Sequence, residues 1–224
     1  MTGLFVAGTD TGVGKTFVAS AVCRALRERG ALVAGLKPFE TGCDPVARDA
    51  AALERAAQSG LPIDLRCPFR FRLPLAPAAA AEREGRRTGG SVARAATLVR
   101  RIGEAMPVVV ESAGGIQVPL EPRRTNLDLA AELGLPVLLV GRNSLGTINH
   151  TVLTLDALER RGLRLWAVVL SAARRSDPSG EDNARWIAAA RRGRRPRIVV
   201  LPRSTRAEAS RRLGRELALD RLVG

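Results

Sequence analysis

Two lysines stand apart in a chain whose other cations are all arginine. Of 36 basic residues, only Lys15 and Lys37 are lysine. Lysine is a compact point charge that fits a nest of backbone amides, where a planar guanidinium fork does not. Lys15 lies in Gly8-Thr9-Asp10-Thr11-Gly12-Val13-Gly14-Lys15-Thr16, directly after the apolar run Leu4–Ala7. A glycine-rich turn leading from a buried strand into a helix is an anion trap. Its N–H groups point inward, and the helix N-terminus adds partial positive charge. Lys15 then reaches the β- and γ-phosphates of a nucleotide, and the Thr16 hydroxyl can ligate Mg²⁺. The usual loop has four residues between its first glycine and Gly-Lys-Thr, whereas Gly8 leaves five.

Lys37, in Gly35-Leu36-Lys37-Pro38, ends the next apolar run and therefore faces the same crevice. Two lysines and a metal would neutralise the charge of a transferring phosphoryl group. Thr41 follows at the same mouth, to hydrogen-bond a substrate or to close a turn. The metal needs oxygen ligands at that sheet edge. Glu111 comes after three valines, Val108 to Val110, and before Ser112-Ala113-Gly114-Gly115. At the carboxyl end of a parallel strand, a carboxylate there reads as a ligand. Asp49 is a second candidate, although its spacing equally suits a first-turn acid that complements a helix dipole. His150 is the only histidine, and its place at a helix opening does not mark a general base.

These residues need a scaffold. Apolar runs at Leu4–Ala7, Leu32–Leu36, Val108–Glu111, Val137–Val140, Leu165–Leu170 and Ile198–Leu201 read as strands buried on both faces. Helical patterns fall at Lys15–Arg29, Val46–Gln58, Ser91–Glu104, Asn126–Leu133, Thr147–Arg161, Glu181–Arg192 and Arg206–Leu222. The alternation predicts an α/β fold, a doubly wound and mostly parallel sheet with helices on both faces, in one domain over 1–224. Gly30 and Gly162 read as C-terminal helix caps and Thr147 as an N-cap. The proline- and arginine-rich stretch Pro62–Arg87 reads as a surface excursion that could border a substrate site.

Composition narrows the function classes. Hydrophobic residues make up 46% of the chain and aromatics 3%, with no tyrosine, so the core must be Leu, Val, Ile and Ala. Cys23, Cys43 and Cys67 lack metal-ligand spacing and read as reduced thiols of a cytoplasmic protein. The chain opens straight into its first strand, so no signal peptide is expected, and no apolar run approaches the roughly 20 residues of a membrane helix. No membrane partner is expected. The net charge of +14 invites a nucleic-acid reading. But the arginines are scattered, with one dense run at Arg191–Arg197, and aromatics for base stacking are scarce. A solvated basic face is the better reading, and no nucleic-acid partner is expected.

Four stretches, in this order and spacing, are specific: 8–16, Lys37-Pro38-Phe39-Glu40-Thr41-Gly42, Val110-Glu111-Ser112-Ala113-Gly114-Gly115, and Gly146-Thr147-Ile148-Asn149-His150-Thr151-Val152-Leu153-Thr154. Through them the chain resembles the dethiobiotin synthetases, in which the five-residue gap of the loop is typical. The resemblance implies a P-loop NTPase-like fold and an ATP- and Mg²⁺-dependent ligase of biotin biosynthesis. Its substrates would be 7,8-diaminononanoate, carbon dioxide and ATP. Thr16, Asp49 and Glu111 would hold Mg²⁺. Gly12, Val13, Gly14, Lys15, Thr16 and Phe17 would wrap the phosphates, with Ser112, Ala113 and Gly114 completing the nucleotide site beside Glu111. Lys37, with Lys15, would steady the carbamate and the migrating phosphoryl group. Thr11 and Thr41 would contact the diamine. The family works as homodimers, with Gly141 to Asn149 near the two-fold axis and Asn149 among the substrate contacts. An asparagine after the fifth strand often reads adenine in this family. Here Leu170-Ser171-Ala172-Ala173 takes its place, with Pro202-Arg203-Ser204 bordering the base, and nucleobase preference stays open. Rival readings are another phosphate-loop synthetase, of the kind that acts on cobyrinic acid, and a partitioning or nucleic-acid-associated ATPase.

Overall fold

The protein is described by a computed structural model over residues 1–172, 177–191 and 195–222. The first half runs β1 (Gly3–Gly8), α1 (Lys15–Arg27), β2 (Ala34–Leu36), β3 (Phe39–Thr41), α2 (Arg48–Ala57), α3 (Ile63–Arg66), β4 (Phe69–Phe71), α4 (Pro77–Arg83) and α5 (Ser91–Gly103). The second runs β5 (Val108–Gly115), β6 (Pro119–Glu121), β7 (Arg124–Thr125), α6 (Asn126–Leu133), β8 (Val137–Asn143), α7 (Thr147–Arg160), β9 (Leu165–Ala172), α8 (Asn183–Ala190), β10 (Ile198–Leu201) and α9 (Arg206–Glu216).

Six strands form one sheet in the order β10-β9-β8-β1-β5-β2, with every pairing parallel. These are the six apolar runs expected from the sequence. Strand β1 shows why they must be apolar throughout. Leu4 and Val6 join the core under α1, while Phe5 and Ala7 join the core on the opposite face. No side chain of such a strand meets water, so no polar alternation survives. The chain winds from β1 to β2 and β5 on one side, then returns to build β8, β9 and β10 on the other. The reversal opens a crevice at the carboxyl ends of β1 and its neighbours, the usual ligand position in this architecture.

Several boundaries differ from the sequence reading. Strand β2 starts at Ala34 rather than Leu32, which is exposed. Helix α2 starts at Arg48 rather than Val46; Val46 is exposed and Ala47 takes the N-cap. Thr147 is not an N-cap. Gly146 holds that position at φ 89°, and the Thr147 hydroxyl turns into the interior. Helix α8 covers Asn183–Ala190 of the expected Glu181–Arg192, and Arg192 lies outside the described residues. Helix α9 stops at Glu216, and after Ala218 at φ 50° a short 3₁₀ turn carries Leu219 and Leu222 into the core. Gly162, at φ 69°, follows α7 as expected of a helix stop, and Gly30, at φ 84°, does the same just beyond α1.

The Pro62–Arg87 stretch holds α3, β4 and α4. Its strand β4 pairs in parallel with β3 outside the main sheet, with Phe39 stacked on Phe69 at 4.8 Å. Of the basic run, Arg191 pairs with Asp156 and Glu159 of α7, and Arg197 donates to the Glu216 carbonyl. Residues 192–194 lie outside the described residues. No helix among the described residues is long and apolar enough to cross a membrane.

Candidate active site

The loop after β1 carries the first lysine. Gly14 is the N-cap of α1 at φ 99°, a left-handed conformation that favours glycine. A side chain there would strike Ser171 at the end of β9, whose Oγ lies 2.6 Å from the place a Cβ would take. Lys15 opens α1 and folds back along the loop, donating to the Asp10 carbonyl at 2.8 Å. Gly8 makes room for it; a Cβ there would sit 2.7 Å from Lys15 Cδ. Arg142, at the end of β8, donates to the Gly12 carbonyl at 3.1 Å. Val13 points away, into the core beneath α1, so only its backbone faces the loop.

Lys37 directly follows β2 and is buried. Its ammonium reaches Glu111 Oε1 at 2.6 Å, the Ser112 carbonyl at 3.0 Å and Asp49 Oδ2 at 3.1 Å. All three of its N–H donors are thereby matched. Glu111 is 1% exposed, and its Oε1 also accepts from Thr16 Oγ1 at 2.8 Å. Its second oxygen, Oε2, is buried with no hydrogen-bond partner. The four sequence candidates Thr16, Lys37, Asp49 and Glu111 therefore meet at one point, with Lys15 close enough to feel their charge.

The electrostatics follow from burial set against pairing. Burial pulls the Lys15 ammonium down to about 8, and Lys37 adds to the fall while Glu111 and Asp49 oppose it. Burial also works against Lys37, but the Glu111 and Asp49 carboxylates outweigh it and hold the ammonium protonated. Burial works to raise Asp49, yet Lys37 and the Thr16 hydroxyl bring it below the usual carboxylate range. Burial pushes the Glu111 carboxyl up, against the pull of Lys37.

This set also suits a divalent metal. Thr16, Asp49 and Glu111 offer hard oxygen donors of the kind Mg²⁺ takes. The orphaned Glu111 Oε2 is an acceptor that a cation would complete, since a buried unpaired oxygen is otherwise costly.

A cavity of about 470 Å³ opens over these groups. Thr11, Gly12, Gly14 and Phe17 line its loop side, and Thr41, Ala113 and Gly114 line the strand ends. Its outer wall is Pro74-Leu75-Ala76-Pro77, so the proline-rich excursion does border the cavity. Ser112 contributes its carbonyl rather than its side chain. Pro202, Arg203 and Ser204 line a second cavity of about 380 Å³ at the end of β10, shared with Glu208 and Arg211 of α9. Ser171 and Ala172 end β9, and Ser171 lies beside Gly14. Ala173 lies outside the described residues. Asn149 and His150 are exposed on the first turns of α7 and line neither cavity.

Sequence reasoning missed one group. Glu40, in the middle of β3, is buried and accepts from the backbone N–H groups of Asp49 and Ala50 at 2.8 and 2.9 Å. Burial pushes its carboxyl up, and those two amides oppose the rise.

Comparison with known proteins agrees with this geometry. Residues 2–211 match a family described as an AAA domain. An ATP-dependent dethiobiotin synthetase of Anaeromyxobacter dehalogenans (strain 2CP-1 / ATCC BAA-258) is 51% identical over 191 residues, covering 84% of this chain and 85% of that protein. The counterpart from strain 2CP-C of the same species is 48% identical over 97% of this chain and 98% of its own length. A bifunctional biotin-biosynthesis protein of Bordetella avium is 40% identical over 89% of this chain and 39% of its own length. A nucleotide-binding loop, a buried lysine bridging two acids, and near full-length likeness all lead to one assignment: the chain belongs to the ATP-dependent dethiobiotin synthetases.

Proposed function

We propose that the chain, as a single domain, makes dethiobiotin from 7,8-diaminononanoate, carbon dioxide and ATP, with Mg²⁺. One amine of the substrate adds carbon dioxide and loses a proton to give a carbamate. A carbamate oxygen takes the γ-phosphoryl group of ATP, releasing ADP and forming a carbamic–phosphoric anhydride. The second amine attacks the carbamoyl carbon and expels phosphate, which closes the cyclic urea.

This sequence needs no protein nucleophile. It needs positioning and charge stabilisation, which the site supplies. Lys15 leaves the Asp10 carbonyl for the β- and γ-phosphates, while the backbone from Gly12 to Phe17 cradles them. Thr16, Asp49 and Glu111 would hold Mg²⁺, which neutralises phosphate charge when bound. Lys37 reaches from the two acids toward the carbamate and the migrating phosphoryl group. Thr11 and Thr41 meet the diamine inside the cavity walled by Pro74–Pro77. The second cavity, with Pro202, Arg203 and Ser204, takes the nucleobase.

The single observation carrying this reading is the meeting of Lys37, Thr16, Asp49 and the half-satisfied Glu111 beside the phosphate loop. We place the reaction in the cytoplasm, which suits three free cysteines, and in a homodimer. Leu145, Asn149 and Leu153 lie exposed at four-residue spacing where α7 begins, a surface fit for a second copy. The test is turnover. Purified protein with diamine, labelled bicarbonate, Mg²⁺ and ATP should release phosphate in step with label entering the ureido carbon. Phosphate release that ignores the diamine would overturn the reading.

A further inference from the structure

Helix α2 carries Asp49 but has no cap of its own. Its N-cap is Ala47, which offers no side-chain acceptor. The N–H groups of a first helical turn need partners, and an N-cap Ser or Asp would ordinarily supply one. Here the acceptor comes from another element. Both oxygens of Glu40 are used, Oε1 on the Asp49 amide at 2.8 Å and Oε2 on the Ala50 amide at 2.9 Å. Glu40 lies on β3, three residues beyond Lys37, so its carboxylate ties the strand that continues from Lys37 to the helix that carries Asp49. A local cap would satisfy those amides as well, but would add no tie between the helix and β3.

We propose that Glu40 is a positioning residue: by clamping the first turn of α2 to β3, it holds the Asp49 carboxylate at Lys37 and Thr16, where Asp49 completes the metal-binding set. The inference rests on the metal reading above. Residues that orient metal ligands through hydrogen bonds typically change metal affinity by about 10–100-fold when removed. Removal of Glu40 should therefore raise the Mg²⁺ concentration needed for tight ADP binding by about 10–100-fold. ADP binding in EDTA, which tests the phosphate loop alone, should stay close to wild type.

The experiment titrates Mg²⁺ into protein and ADP by calorimetry, alongside urea denaturation, for Glu40→Ala, Glu40→Gln and Glu40→Ala/Ala47→Ser. The serine restores a local cap without restoring the tie to β3. The double variant should recover its urea midpoint while its Mg²⁺ midpoint stays raised. Glu40→Gln keeps one acceptor and should show a smaller rise, which serves as the readout if Glu40→Ala does not fold. An unchanged Mg²⁺ midpoint in either single variant would overturn the role of Glu40. So would recovery of both midpoints together on adding Ala47→Ser, since Glu40 would then be only a helix cap. Wild-type protein whose ADP binding ignores Mg²⁺ would instead overturn the metal reading, and Glu40's role with it.

Discussion

Replacing Lys37 with methionine isolates the ion pair at the centre of the site. Methionine fills much of the lysine stem, so little packing is lost, but the ammonium disappears. Glu111, 1% exposed, keeps only the Thr16 hydroxyl on Oε1 and nothing on Oε2. Removing one member of a buried pair costs about 3–5 kcal/mol, because the remaining charge is uncompensated. Against a typical total of about 5–15 kcal/mol, that is a large share. The stranded carboxylate escapes by binding a proton. Burial already pushes Glu111 up, and loss of Lys37 pushes it further. The folded variant then binds more protons than the unfolded chain, so its stability falls as pH rises above the ordinary carboxylate range, by up to about 1.4 kcal/mol per pH unit. In wild type the protonated Lys37 opposes the rise of Glu111, so the same slope should be weaker and set in at lower pH than in the variant. Urea denaturation at about pH 5 and about pH 8 reads the difference. Lys37→Met/Glu111→Gln removes both charges and should regain most of the loss without regaining turnover. A single variant within about 1 kcal/mol of wild type at both pH values would refute the buried pair as drawn.

Two further predictions concern the loop. Gly14→Ala should weaken nucleotide binding, since its Cβ would meet Ser171 Oγ at 2.6 Å in a backbone conformation that alanine disfavours. Adding Ser171→Gly should restore part of the affinity measured by calorimetry, and no rescue would mean the clash is not the cause. Lys15 supplies the pH test. Its ammonium is pulled down to about 8 in the free protein, and phosphates favour the charged form. Nucleotide binding near or above that value should therefore take up a proton, and affinity should fall as pH rises past it. Calorimetry in buffers of different ionisation heat measures the uptake, and its absence would contradict the burial of Lys15.

The sequence revealed those parts of the fold where burial leaves an unbroken apolar run. All six strands of the main sheet contain such a run, though β5, β8 and β9 continue past it into polar residues. Strands β3 and β4 were invisible, because each has three residues with a charge, Glu40 or Arg70, at its centre. The N-cap preference misled at Thr147, where the left-handed turn at Gly146 ends the loop one residue earlier. Asp49 fitted two roles on spacing alone. It does lie in the first turn of α2, and it also faces Lys37. Glu40 gave no local signal, since its partners stand nine and ten residues away across a loop. Lys15 was legible from the glycine-rich loop before it, and Lys37 and Glu111 because a cation or carboxylate closing an apolar run has few structural uses.

A crystal structure with Mg²⁺, a non-hydrolysable triphosphate analogue and the diamine would show whether these groups converge on one cation and one phosphate chain. One cation should lie at Thr16 Oγ1 and the carboxylates of Asp49 and Glu111, with the triphosphate gripped by Lys15 and Lys37 directed at the terminal phosphate beside the diamine. A cation bound elsewhere, or a triphosphate that Lys37 cannot reach, would contradict that arrangement.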